Sequence, residues 1–185
     1  MSLKNKNIIV GISGSIAAYK TCEIIRLLIK EKATVIPVMT KNAVEFITPL
    51  TIQTLSKNSV YIDMFENNFD WGVEHISIAK KSDLFLIAPA TANVIAKISS
   101  GIANDALTTL VLSVPLLAGC PVVICPAMNS EMYRNPITQE NIEHLKKNGY
   151  HFIGPDKGEL ACGDEEIGRM LDPQKIISEI KKILK

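Results

Sequence analysis

Short apolar, β-branched runs alternate along this chain with segments of helical period, and that alternation limits the fold more than any other feature. Asn7–Ile12, Thr34–Met39, Leu84–Ala88, Pro121–Cys125 and Tyr150–Ile153 read as strands. They are apolar at consecutive positions, so both faces of their sheet must be covered. Helical period occupies Ser15–Lys32, where Lys20, Glu23, Arg26 and Lys30 form a polar stripe and Ile24, Ile25, Leu27 and Leu28 turn inward. Thr40-Lys41-Asn42 opens a short helix through Ile47, and Thr48-Pro49 opens another over Pro49–Ser56. A further helix runs from the Pro89–Asn93 turn to Ser100, and Asn104 or Asp105 caps Ala106–Ser113. Gly149 stops an amphipathic helix over Pro136–Asn148, and Pro173–Leu184 closes the chain.

Strands alternating with helices predict an α/β fold. Residues 1–185 form one Rossmann-like, flavodoxin-like domain, with a parallel sheet and helices on both faces. The stretch from 154 to 170 carries glycines at 154, 158, 163 and 168 and no period, which predicts a lid loop. Twenty basic against nineteen acidic residues leave a net charge of +1, with no basic excess for nucleic-acid binding. Four cysteines without a C-x-x-C pair and three histidines argue against both a zinc site and a disulfide framework. Ala106–Ser130 is uncharged over a membrane-spanning length, but Pro115, Gly119, Pro121 and Pro126 break it into a helix, a turn and a strand. With no secretory signal at the start, the expectation is a soluble, cytoplasmic protein.

Ligands of open α/β sheets bind beyond the carboxyl ends of the strands. Here those ends read Gly11–Ser15, Thr40, Pro89–Asn93 and Pro126–Asn129, all without a carboxylate. Small, hydroxyl and amide residues suit an anion held by backbone N–H groups and helix starts. The first turn is G-x-x-G, not the dinucleotide G-x-G-x-x-G, and no G-K-[ST] is present. Thr40 stands where a ribose-binding strand end calls for Asp or Glu. A single phosphate, as in flavin mononucleotide, fits better. Ser13, Ser15 and Thr40 are either its ligands or simply helix caps.

These residues also resemble a known family. Gly14-Ser15-Ile16-Ala17-Ala18-Tyr19-Lys20 is similar to the flavin-binding opening of the homo-oligomeric flavin-containing cysteine decarboxylases. Pro89-Ala90-Thr91-Ala92-Asn93-Val94 resembles their P-A-S-A-N-T loop, and Pro126–Tyr133 their P-A-M-N-x-x-M-W motif. Ala161-Cys162-Gly163 with Gly168-Arg169-Met170 resembles the substrate clamp of the members that act on phosphopantothenoylcysteine. Trp71 and His75-Ile76 fall where the family keeps its W…H-I element. The departures are Thr91 for Ser, Val94 for Thr and Tyr133 for Trp; Val94 cannot replace the hydroxyl contact.

The resemblance implies FMN, bound through Gly11, Ser13, Gly14, Ser15, Thr40, Ala90, Thr91, Asn93 and Met128. It implies His75 as catalytic base, Asn129 as the group that binds the substrate carboxylate, and Cys162 as proton donor. Ala127, Met128, Ala161, Gly163 and Arg169 complete the substrate contacts. By itself, His75 is as readily a surface residue, Asn129 an Asx turn and Asn93 a helix cap. His144 and His151 read as structural, and Cys22, Cys120 and Cys125 as packing residues. The implied reaction is oxidative decarboxylation of 4′-phosphopantothenoylcysteine to 4′-phosphopantetheine, in coenzyme A biosynthesis. The family also implies a trimer or dodecamer, and a separate or fused phosphopantothenate–cysteine ligase. Peptidyl-cysteine decarboxylases, which stop at the ene-thiol, and a non-catalytic regulatory flavoprotein are the other readings. Cys162 argues against the former and the basic end at Lys181–Lys185 against the latter.

Overall fold

The computed structural model describes residues 2–63, 71–159, 163 and 165–185, with backbone alone over 71–75. Strands β1 (Asn7–Ile12), β2 (Thr34–Met39), β3 (Leu84–Ala90), β4 (Val122–Pro126) and β5 (His151–Phe152) form a five-stranded parallel sheet in the order β2-β1-β3-β4-β5. Alternate residues of each strand enter opposite cores. Ile8, Val10 and Ile12 join Leu84, Leu86, Val123 and Cys125 under α1 (Ala18–Lys30) and α8 (Pro173–Ile183). Ile9 joins Phe85, Ile87, Val122 and Ile124 under α4 (Ala92–Ser99), α5 (Ala106–Ser113) and α7 (Pro136–Lys147). Double coverage is the reason these strands read as unbroken apolar runs.

Most helix starts follow local chemistry. Thr48 accepts from the Thr51 N–H ahead of α2 (Pro49–Ser56), whose Pro49 costs no hydrogen bond in the first turn. Asp105 caps α5, Asn135 caps α7, and Asp172 caps α8. The first helix starts at Ala18, later than the expected Ser15, because Gly14–Ala17 is drawn into a turn. After Thr40 there is a 3₁₀ turn, Lys41–Ala43, in place of a helix reaching Ile47. Two helices lie where the sequence pattern assigns none: α3 (Trp71–Lys81) and α6 (Ser130–Arg134).

The segment expected to be an aperiodic lid loop is instead built largely as a ribbon. Strands β6 (Asp156–Glu159) and β7 (Glu165–Arg169) pair antiparallel. Their side chains are mostly charged and solvent-facing, so the pairing rests on the backbone ladder and leaves no apolar alternation to read. The cysteines away from that ribbon pack as expected. Burial pushes up the thiols of Cys22 and Cys125, and burial with nearby Asp83 pushes Cys120 to about 11. No helix among the described residues is long and apolar enough to cross a membrane, and no cluster among them could hold a metal ion.

Candidate active site

The chain leaves β1 for β2 on one side and returns through β3 on the other, so the strand order reverses between β1 and β3. The crevice beyond that switch point is where such sheets take ligands. Ser13 joins its two walls: its buried hydroxyl donates to the Pro89 carbonyl at 2.8 Å and accepts from the Thr91 N–H at 3.1 Å. Gly14 lets the first turn lie against the turn after β2, since a Cβ there would be 2.6 Å from Asn42 Cβ. Thr40 and Thr91 cap their own turns, accepting from the N–H groups of Ala43 and Val94. These residues and Asn93 line a cavity of about 740 Å³. Its charged lining residues are paired, Lys41 with Asp63 at 2.7 Å and Lys97 with Asp105 at 2.8 Å. The cavity wall therefore offers hydroxyls, amides and helix starts with little net charge.

Across the Gly14–Ser15 turn lies a second cavity, of about 580 Å³, lined by Ser15, Lys20, Ala127, Met128, Asn129 and Arg169 among others. The β6–β7 ribbon forms one wall. It is held to the turn after β4 by the Met128 N–H, which donates to the Gly168 carbonyl at 3.0 Å. Arg134 on α6 pairs with Glu166 of the ribbon and with Glu131. Asn129 Oδ1 accepts from the Glu131 N–H at 2.8 Å and caps α6, which fixes its side chain. Lys20 Nζ donates to the Met170 carbonyl at 3.4 Å. Burial, and then the nearby Arg169 guanidinium, hold the Lys20 ammonium below its ordinary pKa, with Asp172 opposing.

Residues 1–185 match the Flavoprotein family. The chain belongs to that family. It is 49% identical over 177 residues to the coenzyme A biosynthesis bifunctional protein CoaBC of Vibrio cholerae, a match covering 96% of this chain and 43% of that protein. The chain thus spans less than half the length of the curated relatives it matches. Among solved structures it resembles a PPC decarboxylase variant complexed with pantothenoylaminoethenethiol, with TM-score 0.83, 30% identity, and 97% and 98% of the two chains covered. It also resembles the FMN-dependent cysteine decarboxylase SpaF, with TM-score 0.83, 28% identity and 99% of each chain covered.

In this flavoprotein the expected site residues divide between the two cavities. Ser13, Gly14, Thr40, Thr91 and Asn93 line the larger one, and Ser15, Ala127, Met128, Asn129 and Arg169 the smaller. Gly11 and Ala90 line neither. Gly11 sits in β1, where a Cβ would be 3.0 Å from Leu107 Cδ1 and Phe85 Cε2, so its bareness serves the core. Ala90 is buried at the end of β3, and its carbonyl accepts from the Ala127 N–H. Gly163 has φ +90, and none of the described residues lies within 4 Å of a Cβ placed there. His75 lies in α3, but its side chain is outside the described residues, as are Ala161 and Cys162. The sequence reading assigned no site role to Lys20, Lys97 or Asp63, all of which line a cavity. Lys20 was legible only as part of the polar stripe of the first helix, not as a cavity residue.

Proposed function

We propose that this flavoprotein binds FMN in the larger cavity and decarboxylates 4′-phosphopantothenoylcysteine in the smaller one, yielding 4′-phosphopantetheine for coenzyme A biosynthesis. One observation carries the reading: a neutral, hydroxyl-rich cavity at the β1/β3 switch point shares the Gly14–Ser15 turn with a cavity lined by an amide, two cations and one carboxylate. The names of the relatives support the same chemistry.

The residues present fit the cofactor. Ser13, Thr40 and Thr91 supply hydroxyls beside helix starts for one phosphate, and the paired charges leave a neutral wall for a ring system. When bound, flavin supplies the two-electron acceptor that turns the substrate's thiol-bearing carbon into C=S, the sink for the departing carboxylate's electrons. The chain's own residues do the rest. Asn129, braced as the cap of α6, orients the carboxylate through its amide. His75 takes the proton that the oxidation releases. Lys20 and Arg169 face the anionic end of the substrate. Carbon dioxide departs to leave an ene-thiolate, the class of product named in the neighbouring variant's complex. Cys162 then gives the proton that accompanies return of the two electrons, and no net redox change remains.

The reading includes a homo-oligomer, a trimer or dodecamer, acting in the cytoplasm beside a separate or fused phosphopantothenate–cysteine ligase. The test is direct. Purified protein should be yellow, release FMN on denaturation, and convert 4′-phosphopantothenoylcysteine to carbon dioxide and 4′-phosphopantetheine. Protein that cannot be loaded with FMN, or that leaves this substrate intact, overturns the reading.

A further inference from the structure

Two strands of a solvent-facing ribbon seldom need a bare backbone in mid-strand, yet Gly158 is placed in the middle of β6. Its φ of +156 already disfavours a side chain, and Arg169 adds a second reason. A Cβ at Gly158 would lie 2.7 Å from Arg169 Nη1, 3.0 Å from Cζ and 3.1 Å from Nε. The guanidinium of Arg169, from β7, therefore occupies the space that a side chain at Gly158 of β6 would take. From that seat Arg169 lines the smaller cavity together with Lys20, and the cations are close enough for Arg169 to disfavour the Lys20 charge. The acidic group in that lining is Glu159. Like charges gathered at one end of a cavity are costly until an anion joins them, and a guanidinium fork matches two phosphate oxygens at once.

We propose that Gly158 is a positioning residue: its missing side chain seats Arg169 so that Arg169 and Lys20 together receive a dianionic phosphate monoester, and the site thereby distinguishes phosphorylated from unphosphorylated substrates. This rests on the function proposed above and adds to it the residue that sets specificity for the phosphate. A side chain at 158 must displace the flexible end of Arg169 as well as adopt a strained backbone.

Titration calorimetry on the flavin-loaded oligomer tests this with 4′-phosphopantetheine and pantetheine as probes. Wild-type protein should prefer the phosphorylated probe. In Gly158→Ala and in Arg169→Gln that preference should fall about 10- to 100-fold, the scale of a lost charge-assisted contact. Adding Gly158→Ala to Arg169→Gln should lower it no further, because the seat acts only through its occupant. Should Gly158→Ala fail to fold, Arg169→Lys replaces it: it keeps the charge without the fork that the seat holds, and wild-type preference there overturns the seat. A folded Gly158→Ala protein with wild-type preference overturns the seat, and wild-type preference in Arg169→Gln overturns the receptor. Phosphate-dependent binding without carbon dioxide release would keep the receptor and fault the catalytic reading instead.

Discussion

Asp105 holds two helices in place with one carboxylate. Its Oδ1 accepts from the Thr108 N–H and hydroxyl, each at 2.8 Å, and its Oδ2 accepts from Lys97 at 2.8 Å. Burial alone would raise its pKa, but the hydrogen bonds from Lys97 and Thr108 outweigh that and hold it below the ordinary carboxylate value. A depressed folded pKa adds stability that is complete above the unfolded value of 3.8 and is lost as pH falls through the folded one. Asp105→Asn keeps a good cap and deletes only the charge. It should lower the melting temperature at pH 7 by roughly 2–4 °C, the equivalent of ~1 kcal/mol. Once pH has fallen below the folded value the two proteins should converge; a deficit that persists there would mean the cap, not the pair, was lost.

Cys162 makes its prediction at the same scale. Serine at that position keeps size and polarity but is a far weaker acid than a thiol of reference pKa ~8.5. A donor so mismatched to neutral pH transfers protons poorly, so the second half-reaction alone should stall. Cys162→Ser should still release carbon dioxide and yield a product lighter than phosphopantetheine by a pair of hydrogens, read by mass spectrometry. Formation of phosphopantetheine at the wild-type rate would remove Cys162 from the mechanism.

Among the elements, the β6–β7 ribbon ties the substrate cavity to the turn that carries Asn129. A Cβ on Gly168 would lie 2.2 Å from the Met128 carbonyl oxygen, and Gly168 has φ +137, so only glycine lets the two backbones meet. Gly168→Ala should release the ribbon: amide exchange at Met128 should accelerate and KM rise at least tenfold, while FMN stays bound in the other cavity. Unchanged exchange at Met128 would refute the coupling. This contact also marks where the sequence stops being legible. Thr48-Pro49, Asp105 and Gly149 announce their helices through chemistry within a few residues. The ribbon forms because Gly168 meets Met128, forty positions earlier in the chain, and no local pattern encodes that. Helix α3 was hidden by the alternation of Ile76 and Ile78, and α6 is a bare turn of five residues started by Asn129. The site divides in the same way. Its hydroxyl strand ends were readable from position, whereas Lys20 and Lys97 sit on helix faces whose approach to a cavity is decided by packing.

At the scale of the molecule, the exposed apolar side chains bear on assembly. Leu117 is fully exposed and Leu112 about half so (101% and 46%), both in the uncharged stretch that also supplies α5 and β4 to the core. The inner face of α5 is buried under the sheet, with Leu107 and Leu110 in the core, while Leu112 points away from it. Monomers tolerate isolated apolar residues, but a leucine at the tip of a 3₁₀ turn beside another on the adjoining helix is better matched to a second subunit. The turn that carries Leu117 lies beside Lys6 and Asp83 at the amino ends of the strands, the end of the sheet opposite the larger cavity. If the trimer or dodecamer proposed above forms, light scattering should give a mass about three or twelve times the 20.3 kDa chain. The double variant Leu112→Glu with Leu117→Glu, which sets like charges against the partner, should shift the mass toward one chain. Both substitutions lie on exposed positions, so far-ultraviolet circular dichroism should stay at the wild-type level and separate lost assembly from lost fold. A wild-type monomer with full activity would refute the oligomer, and a double variant that keeps the wild-type mass would remove these leucines from its contacts.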